Sequence, residues 1–152
     1  MLIENGVARN VVYDSYTAYK EVKESTGHAL PAPNTFGPVP SNMFMELGHS
    51  TMEEMIASTG KGILVTRFHY TNPVHPLLAI ITGMTRDGTF LIERGQVTRP
   101  VKNLRFTQGI LEALSNVEMI GREGVLQQTW FPATVVPALK IRGFNFSGAT
   151  EF

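Results

Sequence analysis

Residues Gly62–Val101 read GILVTRFHYTNPVHPLLAIITGMTRDGTFLIERGQVTRPV, and the parsing of this run decides the fold. From Gly62 to Tyr70, β-branched and aromatic residues alternate with polar ones, and Leu78 to Arg86 repeats the pattern. A period of two sends successive side chains to opposite faces, as a half-buried strand requires. Between the two lies Asn72-Pro73-Val74-His75-Pro76, whose prolines fix φ and lack an amide donor, so the spacing predicts a turn there. Asp87-Gly88 tolerates positive φ and predicts a tight hairpin, after which Phe90-Leu91-Ile92 returns. Arg94-Gly95 turns once more, and Gln96 to Val101 completes a three-stranded antiparallel meander.

N-terminal to this run, Ser50 with Glu53 three residues on forms a capping box. Met52, Met55 and Ile56 share one helical face, and Gly60 can take the left-handed conformation that ends a helix. An earlier helix is expected over Asp14 to Ser25, where Tyr16, Tyr19 and Val22 recur at helical spacing behind an Asp that can accept free amides. From Ser25 to Pro40 repeated proline rules out helix and central strand. Low charge with Leu30, Phe36 and Val39 suits an ordered connector lying on a surface rather than a solvated linker.

On the C-terminal side, Phe106, Ile110, Leu111 and Leu114 mark a third helix, and Met119-Ile120 a short strand. Leu139 and Ile141 alternate with Lys140 and Arg142, and Phe144 and Phe146 flank Asn145, giving a final strand or pair kinked at Gly143. The expected fold is α+β and sheet-dominated, an antiparallel β-meander with three short helices in one domain over residues 1–152. No internal repeat supports a solenoid or propeller.

Composition narrows the function. The 152 residues carry 13 basic and 13 acidic side chains, so no net field draws a phosphate backbone or an anionic membrane, and nucleic acid is a poor partner. No apolar run reaches membrane-span length and Met1–Asn5 lacks signal-peptide character, so a cytoplasmic protein without a membrane partner is expected. With no cysteine, only histidine and carboxylate remain as metal ligands in this chain.

No complete catalytic set is present: there is no His-Glu-x-x-His helix, Gly-x-Ser-x-Gly elbow, phosphate loop or dinucleotide fingerprint. His28, His49, His69 and His75 are scattered, and His69 and His75 lack zincin spacing; they read as a strand-face residue and a turn cap rather than ligands. The methionines Met43, Met45, Met52 and Met55 read as gap-fillers of a core. Arg94, Arg99, Lys102 and Arg105 read as a solvated face.

Several phrases, taken in order, carry a resemblance. They are Val12-Tyr13-Asp14-Ser15-Tyr16-Thr17-Ala18, Ser25-Thr26-Gly27, Ala29-Leu30-Pro31-Ala32-Pro33 and Ser50-Thr51-Met52-Glu53-Glu54-Met55-Ile56. Gly62-Ile63-Leu64-Val65, Asn72-Pro73, Phe90-Leu91-Ile92-Glu93-Arg94-Gly95, Pro100-Val101-Lys102-Asn103 and Ile120-Gly121 follow. Together they resemble the C-terminal region of the TldD/PmbA family, once labelled modulators of DNA gyrase and regarded as zinc-dependent peptidases.

The resemblance implies zinc for metal-binding full-length relatives, held by a His-Glu-x-x-x-His helix upstream and a cysteine after the Ile-Gly step. Neither motif occurs in this chain, and Arg122 to Pro132, where the cysteine is expected, has none. No cofactor, metal ligand or catalytic residue is therefore assigned to it, and it is expected to be inactive alone. Two readings follow. In the favoured one this is the substrate-cleft domain of a peptidase acting on unfolded peptides, with the family's N-terminal domain as partner and Arg67, His69, Asn72 and His75 as a groove wall. The other is a metal-free partner subunit or interaction module. A domain of a larger protein also leaves apolar surface uncovered, so homo-oligomerisation is expected.

Overall fold

The structure, a computed structural model, describes residues 1–128 and 133–149. It is a sheet-dominated α+β fold with three short helices. The chain divides into two compact units, residues 1–45 with 126–135 and residues 46–125 with 136–152.

In the first unit, β1 (Ile3–Glu4) and β2 (Val7–Ala8) form a small hairpin across Asn5-Gly6, both with positive φ. Helix α1 (Ser15–Glu21) is shorter than its spacing predicts. Asp14 caps it by accepting from the Thr17 amide at 2.7 Å, and that bond, with a second from the Thr17 hydroxyl, holds the Asp14 carboxyl below its ordinary pKa. The helix stops where Val22 turns left-handed. Its buried residue is Ala18, while Tyr16, Tyr19 and Val22 face outward. The proline connector forms no regular element, and its Phe36 is exposed. β3 (Met43–Phe44) then pairs in parallel with Thr134 and Val135. Met43 and Phe44 are exposed, so the expected methionine core reduces to Met55 in the other unit.

The second unit opens with α2 (Met52–Ala57). Its cap is Thr51 with Glu54 rather than Ser50 with Glu53: Thr51 Oγ1 accepts from the Glu54 amide at 3.1 Å and Glu54 accepts from the Thr51 amide at 2.8 Å. The sequence offers both registers, and the sheet decides between them. Ser50 is held in a parallel bridge to Gly121, its amide bonded to Ile120 O and its carbonyl accepting from Arg122 N. Gly60 does not take the left-handed C-terminal role; Ser58 closes the helix and the Thr59 hydroxyl bonds the Met55 carbonyl. Thr51→Ala is therefore expected to cost about 1 kcal/mol in urea unfolding and Ser50→Ala markedly less; equal effects would return the cap to Ser50.

Two long strands dominate, β4 (Lys61–His75) and β5 (Ile80–Glu93). They correct the predicted parsing twice. Asn72–His75 is strand, not turn, with Asn72 paired to Thr82 and Pro73 to Ile81. Proline is tolerated because, among the described residues, β4 pairs with β5 alone and its other side needs no donor. The hairpin is made one step later by a 3₁₀ turn over Pro76–Leu78, capped by His75 and closed by Ala79 at positive φ. Asp87-Gly88 is not a hairpin either. Both residues have positive φ, as expected, but they form a bulge inside β5 between the pairs Val65–Thr89 and Arg67–Arg86. Thr66 Oγ1 lies 3.0 Å from the Gly88 carbonyl and 3.3 Å from that of Arg86, holding the bulge from across the ladder.

The Arg94-Gly95 turn leads into β6 (Gln96–Pro100) as read, giving the antiparallel meander. β7 (Leu104–Gly109) pairs with the other side of β5 and absorbs Phe106, whose spacing predicts a helix. Helix α3 (Ile110–Ser115) begins only after it, and β8 (Val117–Gln127) pairs with β9 (Thr134–Ile141). β10 (Phe146–Ala149) closes on β7, giving the order β10-β7-β5-β4. Phe106 is fully buried and packs on Phe68 and Phe144 at 4.7 and 5.5 Å between centroids. Met55, Ile92 and Ala113 complete the apolar core, and Gln108 is buried with its Oε1 accepting from Asn145 N at 2.7 Å.

Candidate functional site

β4 is an edge strand, and its outer side borders a groove of about 690 Å³. Ser58 to Val65 line it without interruption, and so do Pro137 to Phe144 across from them. Ile92 of the neighbouring strand β5 and Phe68 also line it, so the groove lies over one face of the β4–β5 ladder and reaches the β4 edge along Lys61–Val65. Met55, Leu64, Phe68 and Ile92 make the floor apolar.

One wall is polar. Lys140 Nζ lies 3.0 Å from Ser58 Oγ, 3.1 Å from Ser58 O and 3.4 Å from Glu118, and Arg142 reaches the same carboxylate at 3.7 Å. Lys140 is thus engaged by both Ser58 oxygens and by the Glu118 carboxylate, a network that ties the end of α2 to β8 and β9.

All four groove-wall residues expected from the sequence lie on β4. Arg67 and His69 share one face, and register places them opposite Arg86 and Met84. Arg67 forms an ion pair with Asp87 of the bulge. Asn72 and His75 follow a break in the ladder that begins at Tyr70, whose φ is positive. There Asn72 Nδ2 donates to Tyr70 O at 2.9 Å, and His75 Nδ1 accepts from Leu78 N at 3.2 Å. The structure thus puts Arg67 and His69 on one face, engages Asn72 Nδ2 and His75 Nδ1 locally, and brings none of the four into the lining of the groove. The sequence reading missed the backbone run Lys61–Val65 and the Lys140–Glu118 pair. Alternation announces a strand but not which strand ends a sheet.

Zinc needs three or four ligands. Among the described residues no group of three or more His, Asp or Glu is placed to hold a metal, and the chain has no cysteine. The residues present do not fit the ion. Thr129–Pro132, the end of the stretch where a cysteine was expected, lie outside the described residues. Also among the described residues, no helix is long and apolar enough to cross a membrane.

Residues 1–148 match the family described as PmbA/TldA metallopeptidase C-terminal domain. The chain is similar to the metalloprotease TldD homolog of Buchnera aphidicola subsp. Schizaphis graminum, 25% identical over 133 residues, which cover 84% of this chain and 26% of that protein. It is 28% identical over 127 residues to a metalloprotease of Methanothermobacter thermautotrophicus, covering 81% of this chain and 27% of the relative. Among solved structures, TldE from Thermococcus kodakarensis superposes with a TM-score of 0.78 at 23% identity, over 95% of this chain and 32% of that one, a likeness of fold. The chain thus spans about a quarter of the length of these curated relatives.

Proposed function

Because this chain belongs to the PmbA/TldA metallopeptidase family as its C-terminal domain, we propose that it is the substrate-cleft scaffold of a TldD/PmbA-type peptidase, holding unfolded peptides beside a metal that other residues supply. The observation that carries this reading is the open edge of β4, bordered along Lys61–Val65 by an apolar-floored groove. Main-chain hydrogen bonds accept many sequences, which suits a cleft for unfolded chains. Arg67, His69, Asn72 and His75 do not line that groove; they are proposed to flank the peptide along the same β4 edge. Activity belongs to the assembled protein; the domain contributes position, because an extended substrate held by one edge presents its carbonyls in fixed register.

A second reading is a metal-free partner subunit, whose cleft serves the metal of another chain; it is compatible with the absence, among the described residues, of a group of three or more His, Asp or Glu placed to hold a metal. Both place the peptide on β4, so one experiment tests the shared step. Addition of an unstructured peptide should slow amide exchange across Lys61–His69, and the chain alone should retain no stoichiometric zinc after dialysis. Unchanged exchange would remove the cleft reading. Tightly held zinc would overturn the assignment of the metal to other residues.

A further inference from the structure

The two sides of the β4 edge differ in chemistry, and the difference selects a class of peptide. On one face, register sets Arg67 opposite Arg86 and Arg105 opposite Met84, two residues along the same strand from Arg86. Three guanidiniums therefore share one sheet face on three adjacent strands. Like charges directly opposed in a sheet destabilise it. Here one carboxylate offsets them: Asp87 pairs with Arg67 and lies 3.9 Å from Arg86, while Arg105 has no carboxylate partner among the described residues. All of this is solvent-open, the Arg67, Arg86 and Asp87 side chains being 54%, 51% and 55% exposed. In a chain of zero net charge, the cluster of Arg67, Arg86 and Arg105 with Asp87 carries a net charge of +2 (three arginines less one aspartate). On the opposite face of the same edge, Leu64, Phe68 and Ile92 floor the apolar groove.

We propose that the β4 edge is specific for extended segments in which acidic and apolar residues alternate; this rests on the strand-addition reading above. A strand added to β4 repeats the period of two, so every second side chain falls on the arginine face and the rest enter the groove. A carboxylate opposite Arg67 takes over its ion pair and leaves Asp87 to Arg86, relieving the opposed guanidiniums. The remaining arginine adds to the field that draws the acid in. A one-residue slip would bury the acids and expose the apolar side chains, so the same two faces also fix register.

The test is fluorescence anisotropy on the whole chain with capped peptides of alternating valine and glutamate, valine and glutamine, or valine and lysine. Exposed ion pairs are individually weak, so the glutamate peptide should bind about tenfold tighter than the glutamine peptide, with the lysine peptide weakest. The preference should collapse toward unity in Arg67→Gln and survive in Arg67→Lys, with circular dichroism confirming that both variants are folded. Equal affinity for the glutamate and glutamine peptides, with amide protection at Lys61–His69, overturns the acidic preference and leaves strand addition standing. No binding and no protection with any peptide sinks strand addition and this proposal with it. Tighter binding of a single-stranded oligonucleotide, lost in Arg67→Gln, overturns it in favour of a nucleic-acid face.

Discussion

Phe106→Ala should leave the second unit unfolded, or nearly so, under conditions where the parent chain is folded. Phe106 has no exposed surface and sits where β7, β4 and the β9–β10 connection meet, its ring against Phe68 and Phe144. Removing a buried phenyl costs roughly 3–5 kcal/mol, the transfer term plus the cavity that partial collapse leaves, and a small domain has little more than that in reserve. Collapse is hindered here because the opposite wall is backbone. Gly83 pairs with Phe106, and a Cβ built on Gly83 would lie 2.7 Å from the Phe106 ring, so no side chain on that side can move in. Urea unfolding followed by near-ultraviolet circular dichroism reads the loss. A midpoint shift equivalent to less than about 1 kcal/mol, far below the usual range for such truncations, would mean that the ring does not anchor the sheet. Phe106→Leu, which keeps most of the volume, should recover the larger part.

The sequence made the sheet legible through properties residues carry on their own. Alternation in Gly62–Tyr70, positive φ at Asp87-Gly88 and Arg94-Gly95, and an Asp cap before Ser15 all appear as read. What it could not supply was the long-range partner that chooses between equivalent local solutions. A bulge and a two-residue hairpin both ask for left-handed residues, and only Thr66, distant in sequence, makes Asp87-Gly88 a bulge. Ser50 and Thr51 are equivalent caps until Gly121 claims the Ser50 backbone. Phe106 fits the helical spacing of Ile110, Leu111 and Leu114, but the alternation of Leu104, Phe106 and Gln108 wins because both β5 and β10 pair with it.

The site was half-legible for the same reason. Arg67 and His69 could be placed on a strand, but neither the open edge nor the arginines that register assembles from β4, β5 and β7 follow from any single segment. Exposed apolar residues at the β4–β5 tip, among them Val74, Leu77 and Leu78, match the expected uncovered surface without naming what covers it.

Gly95→Ala is the second substitution expected to be severe, although it adds only a methyl group. Gly95 is the second residue of the β5–β6 turn, with φ of 78°, where an L side chain is strained. Its Cα also faces α2: a Cβ there would stand 2.6 Å from the Ala57 carbonyl oxygen, a backbone atom that cannot rotate away. Relief requires withdrawing the helix end, yet that end is fixed by Gly95 N to Thr59 O at 2.9 Å and Arg94 N to Gly60 O at 2.7 Å. Conformational strain and the lost bonds together should cost about 2–3 kcal/mol. Gly143 separates the two causes, because its φ is 71° and nothing lies within 4 Å of its Cβ direction. Gly143→Ala therefore reports the backbone strain alone, about 1 kcal/mol. Equal destabilisation of the two variants would show that the turn does not press on α2. A larger loss at Gly95, with faster amide exchange at Gly95 and Arg94, would show that this turn presses on the helix end and that its two hydrogen bonds depend on the missing side chain.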